Sequence, residues 1–106
     1  MTKEFLEANQ LDSMRKLHSL YTFRIDAESP TPEITVRIWE LLGANLAPGY
    51  KFEAELSHTI QNDKQGTPYS PMPIESSPER ALEIAVSTFV GMYDGPGTRI
   101  EERKEA

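Results

Sequence analysis

The sequence predicts an α+β domain of two layers, in which a three-stranded antiparallel meander has two helices on one face, in the order α-β-β-β-α. Three patterns lead to this prediction. Apolar residues recur at helical spacing in residues 2–19, apolar and polar residues alternate strictly in residues 50–61, and helix start and stop signals enclose residues 78–93.

Composition narrows the class of protein before any element is placed. The 106 residues carry 11 Lys and Arg against 17 Asp and Glu, a net charge of −6, and 38% are hydrophobic. These proportions are typical of a soluble globular domain. The acidic balance disfavours binding to nucleic acid or membrane lipid, and no apolar run is long enough to span a membrane. The absence of Cys excludes disulfides and thiol chemistry and suits a cytoplasmic protein.

The first two elements are predicted to be a helix over residues 2–19 and a strand over residues 21–26. Leu11, Met14 and Leu17 recur at three-residue steps, and no Pro or Gly interrupts the helical segment. In the strand, three apolar side chains alternate with polar ones, as expected for a half-buried strand. A loop rich in Pro and Ser then follows.

Residues 34–42 fit two secondary structures. Thr31-Pro32-Glu33 is a good helix start, and Ile34, Ile38, Leu41 and Leu42 would form a helical stripe. The segment is nevertheless dense in β-branched and aromatic residues that alternate with polar ones, and this favours a strand paired with residues 21–26 as a hairpin.

The clearest strand is residues 50–61, where we expect Phe52 and Leu56 to be buried and Lys51 and Glu53 to face water. The 15-residue loop 62–76 that follows contains four Pro or Gly residues. Loops of this length are often functional.

The last predicted element is a helix over residues 78–93. Ser77 is placed as its N-cap and Pro78 as its first residue, and residues 94–97 (Asp-Gly-Pro-Gly) end it. We expect one globular domain over residues 1–97 and a charged, flexible tail over residues 98–106.

The predicted order α-β-β-β-α resembles that of the double-stranded-RNA-binding domain, over residues 2–93. That resemblance implies a basic cluster at the start of the last helix and a Gly-Pro-x-His type of loop between strands. The matching segments here are Ser76-Ser77-Pro78-Glu79-Arg80, with one cation and one anion, and Ala47-Pro48-Gly49. No RNA-binding residue is therefore carried over to this chain.

Catalytic and metal-binding patterns are weak. Glu53 and Glu55 share one face of the predicted strand, but a solvated sheet face explains this pair without chemistry. His18 and His58 are the two histidines and lie on different elements, so no metal site, catalytic residue or cofactor is predicted. We expect His58 to lie at a strand boundary and to bond a backbone group.

The strongest functional signal is a predicted open sheet face with Trp39 among charged side chains. Trp and Arg are enriched at protein interfaces; the alternative is a Trp that folds over the sheet edge or is buried. The loop 62–76 could dock on a partner or could cover the edge of the sheet. The predicted interaction surface consists of Arg24, Arg37, Trp39, Glu53, Glu55, Tyr69 and Met72.

These observations predict a small, acidic, non-catalytic interaction module that binds a protein partner, or a second copy of itself face to face or edge to edge. The partner could be a basic protein, given the acidic composition. The alternative is a small ligand-binding domain or enzyme with a pocket between the sheet and the loop 62–76, completed by a dimer interface. Its candidate residues are Tyr50, His58, Glu55 and Tyr69.

Overall fold

The computed structural model of the chain describes residues 13–43 and 49–104, together with residues 4 and 8. Within these ranges the chain forms a four-stranded antiparallel sheet, a two-stranded antiparallel sheet and one helix with both ends defined. The elements are β1 (Ser13–Phe23), β2 (Ile34–Gly43), β3 (Phe52–Leu56), β4 (His58–Gln61), β5 (Ile74–Glu75), α1 (Pro78–Gly91) and β6 (Arg99–Glu102).

The predicted fold of two helices on a three-stranded meander is wrong. Residues 13–23, which were assigned mainly to the N-terminal helix, form the long strand β1. Glu4 and Ala8 do have helical backbone, and the rest of the predicted helix before residue 13 lies outside the described residues. The resemblance to the double-stranded-RNA-binding domain fails with the same correction, because that element order is not observed.

A β-bulge interrupts the regular alternation of faces along β1. β1 pairs with β2, from Ser13 opposite Gly43 to Phe23 opposite Ile34, and the register shifts between Leu17 and Ser19. The extra residue, His18, resets the alternation of faces. Leu17 and Leu20 then lie on one face, whereas Met14 and Leu17, on which the helix prediction rested, lie on opposite faces.

The strand assignment of residues 34–42 is confirmed, as is their hairpin pairing with the preceding strand. β2 is central, with β1 on one side and β3 on the other, and β3 pairs in turn with β5 from the loop 62–76. That loop therefore covers one edge of the sheet with a two-residue strand. Tyr69 adds a pair of backbone hydrogen bonds to Ile60, of 2.8 and 3.0 Å.

The predicted strand over residues 50–61 is present from residue 52 but bends at Ser57. At the bend the Ser57 amide donates to the Thr35 carbonyl (2.9 Å), and after it β4 leaves the large sheet and pairs with β6. Residues 98–106 were expected to be an unpacked tail, but Arg99–Glu102 form β6. This element was missed because its sequence, Arg-Ile-Glu-Glu, has a single apolar residue.

The core lies between α1 and one face of the sheet. The alternation in β3 and β4 is confirmed, because Phe52, Leu56 and Ile60 are buried while the intervening residues are partly exposed. From α1, the buried side chains come at four-residue steps, at Ala81, Ala85 and Phe89. The buried core consists of Ile25, Ile34, Val36, Ile38, Phe52, Ala54, Leu56, Ile60, Ala81, Ala85 and Phe89.

The N-terminus of α1 is capped as the sequence predicts. Ser77 has extended backbone, its side chain accepts a hydrogen bond from the Arg80 amide (3.1 Å), and Pro78 is the first helical residue. We expect Ser77→Ala to lower the free energy of unfolding by about 1 kcal/mol, because this amide loses its acceptor. Urea denaturation measures this loss. Ser77→Asp is the control because Asp also provides a capping oxygen. An equal loss of stability in both variants would contradict the capping role of Ser77.

Candidate functional site

The candidate site lies on the face of the four-stranded sheet opposite α1, called here the open face. Residues directly opposite one another in an antiparallel pair point to the same side of the sheet. Trp39 is opposite both Leu17 on β1 and Glu53 on β3, and Arg37 is opposite Leu20 and Glu55. The open face therefore combines the central Trp39 and Arg37 with Leu17 and Leu20 on one side and Glu53 and Glu55 on the other.

Trp39 is held by contacts to charged groups on both neighbouring strands. The guanidinium of Arg15 lies 4.0 Å from the centre of the indole ring, a cation–π contact. The indole Nε1–H donates to Glu55 Oε1 at 3.3 Å. Trp39 thus lies on the sheet, partly exposed, and neither folds over an edge nor enters the core.

The acidic side chains form a network with two arginines. Arg15 is 3.7 Å from Glu53 and 3.8 Å from Glu55, and Arg103, just after β6, is 3.8 Å from Glu55. The Arg103 guanidinium also donates to the Leu56 carbonyl at 3.2 Å. Because this network fixes side chains from β1, β3 and the end of β6, it gives the open face a defined shape.

Glu53 and Glu55 differ in environment although they are two residues apart. Burial raises the pKa of Glu53; the positive charges of Arg15 and Arg103 oppose that effect, and the negative charge of Glu55 adds to it. Glu55 instead accepts a hydrogen bond from Trp39 and lies near two arginines. Folding therefore disfavours the ionised form of Glu53.

A pH-dependent difference in stability follows from the raised pKa of Glu53. Above about pH 4.3, the ordinary pKa of Glu, the unfolded chain releases this proton before the folded chain does, so the stability contributed by Glu53 falls as pH rises through the raised folded pKa. We expect Glu53→Gln to remove this decline and Glu55→Gln to destabilise the protein at neutral pH. Urea denaturation at pH 4 and pH 7 measures both. A Glu53→Gln variant that loses more stability at pH 7 than Glu55→Gln would contradict the assignment.

A groove of about 800 Å³ crosses the open face beside Trp39, between β1, β2 and the segment after β6. Among the described residues, neither Arg37 nor Lys104 forms an ion pair with an acidic side chain. Although Glu55 is opposite Arg37 in register, its carboxylate is already engaged by Arg15, Arg103 and Trp39. We call this the charged groove; it is lined by Arg15, Arg37, Trp39, Glu55, Leu56, Ser57, Glu102, Arg103 and Lys104.

Apolar residues on the open face were missed from the sequence. Leu17 and Leu20 are 44% and 51% exposed, and the bulge at His18 places both on this side of the sheet. Ile74, 41% exposed and opposite Glu53, brings the loop 62–76 to the same face. The segment Leu17-His18-Ser19-Leu20 holds both leucines, but only the pairing with β2 shows that it contains a bulge.

Three residues of the predicted interaction surface lie elsewhere. Arg24 is past the end of β1, and its guanidinium donates to the Thr31 carbonyl at 3.1 Å, so it closes the loop before β2. Tyr69 and Met72 are exposed, at 45% and 46%, on the loop at the opposite edge of the sheet from β1. The structure thus brings together Arg37, Trp39, Glu53 and Glu55 but not the other three residues.

The residues of the alternative pocket do not converge. His58 is buried on the α1 side, with Nδ1 2.7 Å from Ser57 Oγ, whereas Glu55 is on the open face. Tyr50 precedes β3 and is 48% exposed. Ser57 Oγ accepts from the Thr35 amide at 2.9 Å, so its own proton is available to His58, and the histidine bonds this side chain where a backbone partner was expected.

In the described ranges no group of three or more His, Asp or Glu side chains is placed to hold a metal ion. Over the same ranges no helix has the length and apolar character needed to cross a membrane.

Comparisons with known proteins found no relative of this chain. No protein-family model, no curated protein and no solved structure matches the chain significantly.

Proposed function

We propose that this chain is a non-catalytic interaction module that binds an acidic segment of a partner protein in the charged groove. The observation that carries the proposal is the pair of cationic side chains, Arg37 and Lys104, that lie beside Trp39 without an acidic partner among the described residues. Unsatisfied cations next to a partly exposed Trp are the residue types that anchor protein interfaces.

Local charge distinguishes the groove from the rest of the molecule. The chain as a whole has a net charge of −6, yet four cationic and two acidic side chains line the groove. The overall acidity suggested a basic partner, but the electrostatic interaction with a partner depends mainly on the charge of the surface that it contacts. Arg can also grip a carboxylate through two parallel hydrogen bonds, so an acidic segment fits this surface better.

The surroundings of the groove favour a protein over a nucleic acid. Leu17, Leu20 and Ile74 supply exposed apolar area around the charged centre, as in the mixed composition of protein interfaces. Glu53, Glu55 and Glu102 lie at or near the same groove and would repel a continuous phosphate backbone. A short acidic peptide meets the cations while its apolar side chains contact the leucines.

The fluorescence of Trp39, the one Trp in the chain, tests this proposal directly. We expect a ten-residue poly-glutamate peptide to change its emission saturably at low salt, and a matched poly-lysine peptide to leave it unchanged. Arg37→Glu and Lys104→Glu should each weaken binding at least fivefold. Lys64→Glu, an exposed cation outside the groove, is the matched control and should bind like the unsubstituted chain.

Three outcomes would contradict the proposal. The first is no emission change with poly-glutamate, and the second is equal weakening by Lys64→Glu. The third is a saturable change with single-stranded oligouridine in the absence of any change with the peptide, which would assign the groove to nucleic acid.

A further inference from the structure

The two edges of the four-stranded sheet are unequal. β5, at one edge, has two residues and is preceded by Pro71 and Pro73, which cannot donate backbone hydrogen bonds to a further strand. β1, at the other edge, has 11 residues and contains no Pro. Among the described residues its backbone pairs with β2 alone, so its outer side presents a row of free N–H and C=O groups.

An apolar groove lies along the same edge, on the α1 side of the sheet. It has a volume of about 690 Å³ and is formed by the end of β1 and the outer side of α1. Tyr21 and Val90 in its wall are 46% and 40% exposed. The groove exists because α1 packs mainly over β3 and β2 and meets β1 near its end, where Phe89 contacts Phe23; its apolar walls are Tyr21, Phe23, Leu82, Ile84, Val86 and Val90.

We propose that a second copy of this chain occupies this edge, with β1 paired antiparallel to β1 of that copy about a two-fold axis. The inference goes beyond the binding of an acidic partner and uses the backbone edge of β1, although Leu17 and Leu20 also border the charged groove. It rests on the bulge at His18, because the bulge divides β1 into two halves whose faces match under two-fold symmetry in one register.

In that register, Leu17 of each copy lies opposite Leu20 of the other on the open face. These leucines are 44% and 51% exposed in the single chain. The two-fold axis creates two Leu17–Leu20 pairs, so the leucines of both copies become covered. Shifting the register by one residue in either direction places open-face residues opposite residues of the α1 side. The matched pairs are Arg15 with Thr22 and Leu17 with Leu20 on the open face, and Met14 with Phe23, Lys16 with Tyr21 and His18 with Ser19 on the α1 side.

Charge and shape agree with this register. The two cations of β1, Arg15 and Lys16, lie opposite uncharged residues, so no like charges meet across the pair. Met14 of the second copy lies next to Phe23, at the mouth of the apolar groove, where its flexible side chain can fill the space above β1. One occupant therefore accounts for both the open edge and the apolar groove.

Cysteine cross-linking tests the register, because the chain has no Cys of its own. Side chains directly opposite on paired strands have Cβ atoms about 4.5–5.5 Å apart, close to disulfide geometry. We expect a mixture of Leu17→Cys and Leu20→Cys chains, one carrying an affinity tag, to form a mixed disulfide at least tenfold more than either variant alone. Val90→Cys with Leu20→Cys is the control and should give background cross-linking.

A second measurement keeps the test independent of disulfide chemistry. In sedimentation velocity we expect the unsubstituted chain to shift toward twice its mass as its concentration rises, Leu17→Glu and Leu20→Lys to remain monomeric, and an equal mixture of the two variants to recover the dimer. Circular dichroism checks that each variant is folded. A monomer at all concentrations, or cross-linking of Leu17→Cys to itself as efficient as in the mixture, would overturn the proposal.

Discussion

Phe89→Ala is expected to lower the free energy of unfolding by about 3–5 kcal/mol, the range for removing a fully buried aromatic side chain. Phe89 has no solvent exposure and lies edge-on to Phe23, with ring centres 6.0 Å apart. It joins α1 to β1 across the core, so the cavity left by the substitution borders both elements. For a domain with a total stability of about 5–15 kcal/mol, this is a large fraction.

The adjacent residue supplies the matched control for this prediction. Val90 is 40% exposed on the other side of α1, and Val90→Ala should change the free energy of unfolding by about 0.5 kcal/mol or less. Urea denaturation followed by circular dichroism measures both variants. Similar losses for Phe89→Ala and Val90→Ala would mean that α1 does not pack on the sheet through the face described.

Removal of residues 98–106 is expected to destabilise the protein by about 3–5 kcal/mol, because the β4–β6 hydrogen bonds and the partial burial of Ile100 are lost. Arg103 adds a backbone hydrogen bond to the Ser57 carbonyl (2.9 Å) and an ion pair with Glu55. A charged, unpacked tail would instead be removable without cost. The experiment therefore separates the structure from the expectation drawn from composition.

Point substitutions in β6 sharpen this prediction. Ile100→Ala removes the one apolar side chain of the strand, which packs against the core, and should account for part of the loss. Glu101→Ala, at an exposed position of the same strand, should be nearly neutral. Unfolding of the shortened chain at the same urea concentration as the full chain would show that the β4–β6 pair contributes nothing to stability.

Local chemistry determined much of this protein without reference to its tertiary structure. Strict alternation placed Phe52 and Leu56 on the core side and Glu53 on the opposite face, because each residue type in a half-buried strand has one acceptable side. The Ser77-Pro78 start of α1 was equally plain, since a capping hydroxyl and a fixed φ are properties of those two residues alone. Trp39 and its acidic neighbours were placed on one face by the same alternation.

The helix predicted for residues 2–19 failed over β1, where Met14 and Leu17 lie on opposite faces, because two apolar residues at a spacing of three occur in both a helix and a strand. The choice between them was made by β2, which offers ten residues of pairing, and no feature within residues 13–23 records that partner. Residues 98–106 were misjudged for a related reason. Arg99–Glu102 have little β propensity, and their strand forms because β4 turns away at Ser57 and exposes its edge.

The candidate site divides in the same way between sequence and tertiary structure. Sequence alone determined which residues of β2 and β3 share the open face, because that follows from a period of two along each strand. Tertiary structure decided that Leu17 and Leu20 join them, that Arg103 reaches Glu55 from a distant segment, and that Arg37 is left without an acidic partner among the described residues. Each of these depends on register between segments far apart in the chain, and register is set by the packing of the whole sheet.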